Sequence, residues 1–116
     1  MTPESNRDDA PAPYYSPLAR DPELRELVAV FVEEIPQRVA MLTESLARGD
    51  WESLGRLAHQ FKSAVGSYGF EQLVPLASRL ESAVREGLAE DLVEQTLREL
   101  AQMCRRVRAG FPAPRE

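Results

Sequence analysis

The sequence predicts an all-α protein, an antiparallel up-and-down four-helix bundle with an extended N-terminal arm. Three observations point there. Apolar residues recur at three- and four-residue steps along four successive segments; Gly, Pro and capping residues divide those segments with short links; and no stretch alternates as a half-buried strand would. The composition suits one such domain: 116 residues, 43% hydrophobic and 28% charged, are enough to bury a single core without staples.

Residues 1–20 hold four of the nine prolines, Pro3, Pro11, Pro13 and Pro17, and few aliphatic side chains. They read as an extended arm in which only Tyr14, Tyr15 and Leu18 look able to pack. The helical domain then spans 21–110, and FPAPRE, residues 111–116, forms a tail that cannot continue a helix. Asp21-Pro22 is an N-cap followed by proline in the first turn. From there Leu24, Leu27, Val28, Phe31, Ile35, Val39, Leu42 and Leu46 make one stripe that stays in phase through Pro36. One long kinked helix is expected, the alternative being two helices broken before Pro36.

Gly49 is placed to end that helix in the left-handed conformation and Asp50 to cap a second helix over about 51–67, itself ended by Gly69. The third helix has Leu73, Leu76, Ala77, Leu80 and Val84 inward, with an irregular start at Pro75. The fourth opens near Glu90 and Asp91 and closes near Arg105, Arg106 and Arg108, in keeping with its dipole. Leu92, Val93, Leu97, Leu100, Cys104 and Val107 are its expected inner face.

Several classes of function recede on composition alone. One cysteine, Cys104, offers neither a disulfide nor a zinc set, and fits a reducing cytoplasm. No metal site and no cofactor are readable. No apolar run approaches the about 18 residues that would span a bilayer, and MTPESNRDDAPAP lacks the order of a signal peptide. A net charge of −5 disfavours nucleic acid. A cytoplasmic monomer is expected.

The chain's only histidine, His59, and only lysine, Lys62, share one segment, LAHQFKSAVGSYG. On a helical wheel with Phe61 at zero, Leu54, Leu57, Ala58, Ala64, Val65 and Tyr68 fall within about 60°, and His59 lies about 160° away. The imidazole should face water or a groove. Its helical neighbours are Gly55, Lys62, Ser63 and Gly66, almost nothing large. Glycine inside a helix costs about 1 kcal/mol relative to alanine, so Gly55 and Gly66 call for a compensating role. Clearing space around a protruding imidazole would let a second protein bring a reactive group to it, and Lys62 would balance arriving negative charge. Phosphoryl transfer suits such a face: an unperturbed imidazole has a pKa of about 6.5 and is an available nucleophile near neutrality, and the reaction needs access and charge stabilisation more than elaborate machinery. The plain alternatives are an ordinary surface histidine, a solvated lysine and glycines that serve helix packing.

LAHQFKSAVGSYGFEQLVPLASRLE, residues 57–81, resembles the signature of histidine-containing phosphotransfer (HPt) domains, approximately A-H-x-L-K-G, a run of small residues, then L-G and a helix ending in L-E. The preceding FVEEIPQRVAMLTESLARGDWESLGRLAH looks like that family's approach to its histidine, and the resemblance covers about residues 21–108. It implies a four-helix domain that accepts a phosphoryl group from the aspartate of a response-regulator receiver domain, or of a hybrid sensor histidine kinase's receiver, and hands it on. By match of motif His59 is the phosphoacceptor and Lys62 its charge-stabilising neighbour. Glu81 aligns with a polar residue that in relatives lies beside the histidine, so the resemblance gives it the ring's unreactive nitrogen; the other reading is a solvated flank of helix 3. Ser63 stands where the family usually has glycine, which tightens docking or adds a hydroxyl near the phosphoryl oxygens, and Gly66 can restore clearance. The divalent metal is expected on the partner receiver.

The domain would be a phosphotransfer intermediate and no ATP-dependent kinase, since no G-x-x-x-x-G-K-[ST] or kinase glycine loop is present. Val30 and Met41, both off the inner stripe of the first helix, are candidate partner contacts or merely scattered exposed residues. Two rivals stand beside this reading: a non-phosphorylated four-helix interaction module, and a hydrolase or transferase using Cys104 with His59, disfavoured because Cys104 falls on an apolar stripe.

Overall fold

A computed structural model describes residues 12–112. Four helices, α1 (Pro22–Ala47), α2 (Trp51–Ser67), α3 (Val74–Arg85) and α4 (Glu90–Cys104), follow one another with short links, as the punctuation predicts. Two 3₁₀ turns, Pro17–Arg20 and Glu71–Leu73, precede α1 and α3. The first part of the expected arm, with Pro3 and Pro11, and the tail from residue 113 lie outside the described residues.

Local chemistry sets each boundary. Asp21 accepts a hydrogen bond from the Glu23 amide at 2.9 Å and starts α1, which runs unbroken through the exposed Pro36, so the two-helix alternative falls away. Gly49 adopts φ +68, and Asp50 accepts from the Ser53 amide at 3.1 Å to start α2. Pro75 sits in the first turn of α3, where its missing donor is harmless, and the residues before it coil into the Glu71–Leu73 turn. α4 ends at Cys104. Arg105 is its C-cap and Arg108 donates to the Arg105 carbonyl at 2.7 Å, so the basic cluster lies just past the helix.

The core is the convergence of the four stripes, with Phe31, Phe61, Leu54, Leu80, Val65, Leu100 and Val93 almost wholly excluded from solvent. Phe31 stacks on Tyr68, the C-cap of α2, with ring centroids 4.5 Å apart and planes 7° from parallel. That contact puts the end of α2 level with residue 31. Leu27 is half exposed where the stripe predicts burial: it lies about 100° around α1 from the wholly buried Val28, on the edge of the stripe that its neighbours leave open. Leu92 is likewise half exposed; it lies about 100° around α4 from Val93, and the buried Thr96, its hydroxyl on the Leu92 carbonyl at 3.0 Å, takes up the flank instead.

The second part of the arm is docked, with Tyr14 and Leu18 packing against the core as their side chains suggest and the backbone joining in beyond what composition predicts. Tyr14 forms a parallel bridge with Val107, donating to the Arg106 carbonyl at 2.7 Å and accepting from the Arg108 amide at 2.9 Å. The Arg106 guanidinium lies 4.1 Å from the centre of the Tyr14 ring. Ser16 and Ala19 are buried, and Ser16 caps the Pro17–Arg20 turn through the Leu18 amide. Gly69, at φ +85, meets this segment: a Cβ there would overlap the Ser16 hydroxyl.

Phe31→Ala should lower the unfolding free energy by about 3–5 kcal/mol in a urea titration. Among the turn glycines, Gly49→Ala should cost about 1–2 kcal/mol, since only its backbone is strained, and Gly69→Ala clearly more, because its methyl must also displace Ser16.

Candidate functional site

The inward stripe of α2, Leu54, Ala58, Phe61 and Val65, leaves His59 on the outer side, with its side chain 54% exposed. Facing it is Glu81. This residue flanks the buried stripe of α3, Leu76, Ala77 and Leu80, and α2 covers it so closely that its side chain is only 6% exposed. The solvated-flank reading of Glu81 is thereby corrected: α2 and α3 meet over it.

Three cationic or imidazole groups converge on this carboxylate. His59 Nδ1 lies 2.8 Å from Oε2, Lys62 Nζ 3.0 Å from Oε1, and Arg85 Nη2 2.8 Å from Oε2. The Lys62 ammonium, hydrogen-bonded to it, does most to hold the Glu81 pKa below the usual carboxylate value; burial opposes this, and His59 and Arg85 reinforce it. An ionised carboxylate only accepts, so the contact requires a hydrogen on Nδ1. In the neutral ring the lone pair is then on Nε2.

The site opens on a shallow cleft lined by Trp51, Glu52, Gly55, Arg56, His59, Val84 and Arg85. A Cβ on Gly55 would lie 3.5 Å from Val84 Cγ1, and one on Gly66 3.8 Å from Val74 Cγ2. Both are ordinary contacts, so α2 and α3 would pack with alanine at either position. Ser63 is exposed on the same side. Val30 and Met41 are both exposed, and Met41 edges a separate groove between α1 and α2 with Leu57 and Gln60.

Arg85 is the residue that spacing did not single out. Its signal was present, four residues after Glu81 on one helix face, but useful only once Glu81 was known to sit beside His59. Cys104, by contrast, is buried among Val32, Ile35 and Val107 between α1 and α4, and burial pushes its thiol up to about 12. The structure does not bring it to His59, and the thiol-based rival loses its nucleophile. Among the described residues no cluster of three or more His, Cys, Asp or Glu could hold a metal ion, and no helix is long and apolar enough to cross a membrane.

The architecture is that of a four-helix bundle presenting a solvent-facing histidine from its second helix, buttressed by a carboxylate on its third. The family model for the Hpt domain matches residues 26–110, and the chain belongs to the histidine-containing phosphotransfer family. Searches of curated proteins and of solved structures give no match.

The lowered Glu81 pKa ties stability to pH. Its contribution is fully present above the unfolded carboxyl value of 4.5 and is lost as pH falls through the lower folded value. Glu81→Gln should therefore be less stable than the parent protein near pH 7. Thermal melts should show the gap closing once the pH is taken well below 4.5.

Proposed function

We propose that the domain is a phosphorelay carrier: His59 takes a phosphoryl group from the aspartate of a response-regulator receiver, or of a hybrid sensor histidine kinase's receiver, and passes it on. It works as a cytoplasmic monomer without a cofactor, the divalent metal belonging to the receiver. The observation that carries the reading is an exposed imidazole held through Nδ1 by a buried carboxylate 2.8 Å away.

In the forward step the Nε2 lone pair attacks phosphorus in line with the aspartyl oxygen. The N–P bond forms, the P–O bond breaks, and that electron pair leaves on the receiver's carboxylate. Positive charge develops on the ring, and Glu81, bonded to Nδ1–H, stabilises it without moving. Lys62, one turn from the ring and one-third exposed, offers positive charge to the arriving phosphoryl group and keeps the Glu81 carboxylate ionised. Return transfer to another receiver reverses the same steps. Gly55, Ser63 and Gly66 keep the approach to the ring low, so that the receiver's acidic pocket can reach it. Because neither glycine is demanded by packing within the bundle, the helix-propensity loss at Gly55 and Gly66 is accounted for by an incoming partner.

Purified protein incubated with phosphorylated receivers should acquire label that is stable in alkali, lost in acid and absent from His59→Gln. Failure across a broad panel of receivers would favour the non-phosphorylated interaction module instead. Glu81→Gln should slow transfer by about 10- to 150-fold, the rate equivalent of one charge-assisted hydrogen bond worth about 1.5–3 kcal/mol, in rapid-quench assays.

Gly55→Ala separates fold from docking. It should raise stability by up to about 1 kcal/mol in urea, since the methyl fits against Val84, while lowering the receiver's apparent affinity. Unchanged affinity would remove Gly55 from the docking surface.

A further inference from the structure

The chemistry proposed for His59 does not by itself choose a partner. Any donor brings an acidic pocket with its aspartyl phosphate, and the charges on the rim of the cleft, Glu52, Arg56 and Arg85, meet that pocket whichever receiver carries it. Discrimination has to come from a contact that receivers do not share. Of the large apolar side chains left exposed among the described residues, Trp51 alone lines the cleft that holds His59.

The register of the helices explains why its indole is open. Glu81 faces His59, and Val84 faces Gly55. Four residues back along α2 therefore correspond to about three forward along α3, which puts Trp51 level with about residue 87. α3 ends at Arg85, and Gly87, at φ +69, breaks the helical path. The helix that covers Glu81 stops before it reaches Trp51, and Trp51 stays 39% exposed.

Trp51 is also held in place. It is the first residue of α2, behind the capping Asp50, and its amide donates to the Gly49 carbonyl at 3.1 Å. An indole has only two side-chain torsions and a large flat face, so it gives contact area at little conformational cost, and tryptophan is among the residues that most often dominate interface energetics. Between Trp51 and His59 the cleft is lined by Gly55 and Val84, the first with no side chain. That leaves room for an apolar side chain to lie against the indole beside the ring.

We propose that Trp51 is the partner-selecting anchor of this domain: the cognate receiver carries a large apolar side chain beside its aspartate pocket and seats it over Gly55 against the indole as it presents its phosphoryl group to His59. This selection rests on His59 as the acceptor. Trp51 touches neither reacting atom; it is a positioning residue that sets the affinity of the encounter and leaves the chemical step alone. Receivers with a small or charged residue at that place are weaker partners.

The test measures transfer from a panel of phosphorylated receivers to the full chain over a range of receiver concentrations, in the parent and in Trp51→Ala, Trp51→Phe and Leu92→Ala. With the best donor, Trp51→Ala should raise KM about ten- to thirtyfold and leave kcat within about twofold. Trp51→Phe should recover part of the loss. Leu92→Ala, which removes an exposed apolar side chain on α4, should change neither constant. Poor donors should lose little in Trp51→Ala, so the preference among receivers flattens. Trp51 is the only tryptophan, and its emission in the parent reports the same contact: a tryptophan-free receiver should shift it to shorter wavelength, a readout that holds even if Trp51→Ala misfolds. An unchanged KM in folded Trp51→Ala, a fall in kcat in place of the rise in KM, an equal loss with every receiver, or emission that ignores a receiver able to label His59 overturns the assignment and leaves the relay standing. If no receiver labels His59, the relay reading falls and this assignment with it.

Discussion

A carboxylate with 6% of its side chain exposed has to be paired on both oxygens, and in this bundle that requirement shapes the whole face around His59. Glu81 satisfies it by drawing in the ring of His59, the ammonium of Lys62 and the guanidinium of Arg85. The consequence is reciprocal. Burial demands partners, the partners keep the carboxylate ionised, and an ionised acceptor dictates which ring nitrogen carries hydrogen. The ring's tautomer is thus set by how closely α2 covers α3.

Most of the architecture could be read in the chain because the relevant forces are local. Capping at Asp21 and Asp50, the left-handed glycines at 49 and 69, and the three-four periodicity each act over a few residues, and the helices begin and end where those residues stand. The outward position of His59 followed from angle alone. What could not be read depends on the relative placement of distant segments. Leu27 belongs to a perfect stripe, yet nothing in its neighbourhood says which edge of that stripe the other segments leave uncovered. Glu81 falls on the flank of its stripe, and only the approach of α2 decides between a wet side chain and a buried one. The i,i+4 spacing of Arg85 gains meaning only once that choice is known.

The arm shows a composition argument overridden by tertiary contact. Proline-rich and poor in aliphatic residues, it lacks the apolar surface to fold alone. Residues 14 to 19 nevertheless pack, because α4's end offers free backbone groups and Gly69 leaves room for Ser16. Backbone bonds and a cation over the Tyr14 ring substitute there for hydrophobic area.

That docking also brings the two described ends of the chain together, with Ala12 accepting a hydrogen bond from Arg106 and Phe111 lying under the guanidinium of Arg25. The described stretch, residues 12–112, thus nearly closes on itself. It can be sewn shut there and opened instead at the exposed Gly49 corner, giving a permuted sequence in which every helix keeps its neighbours.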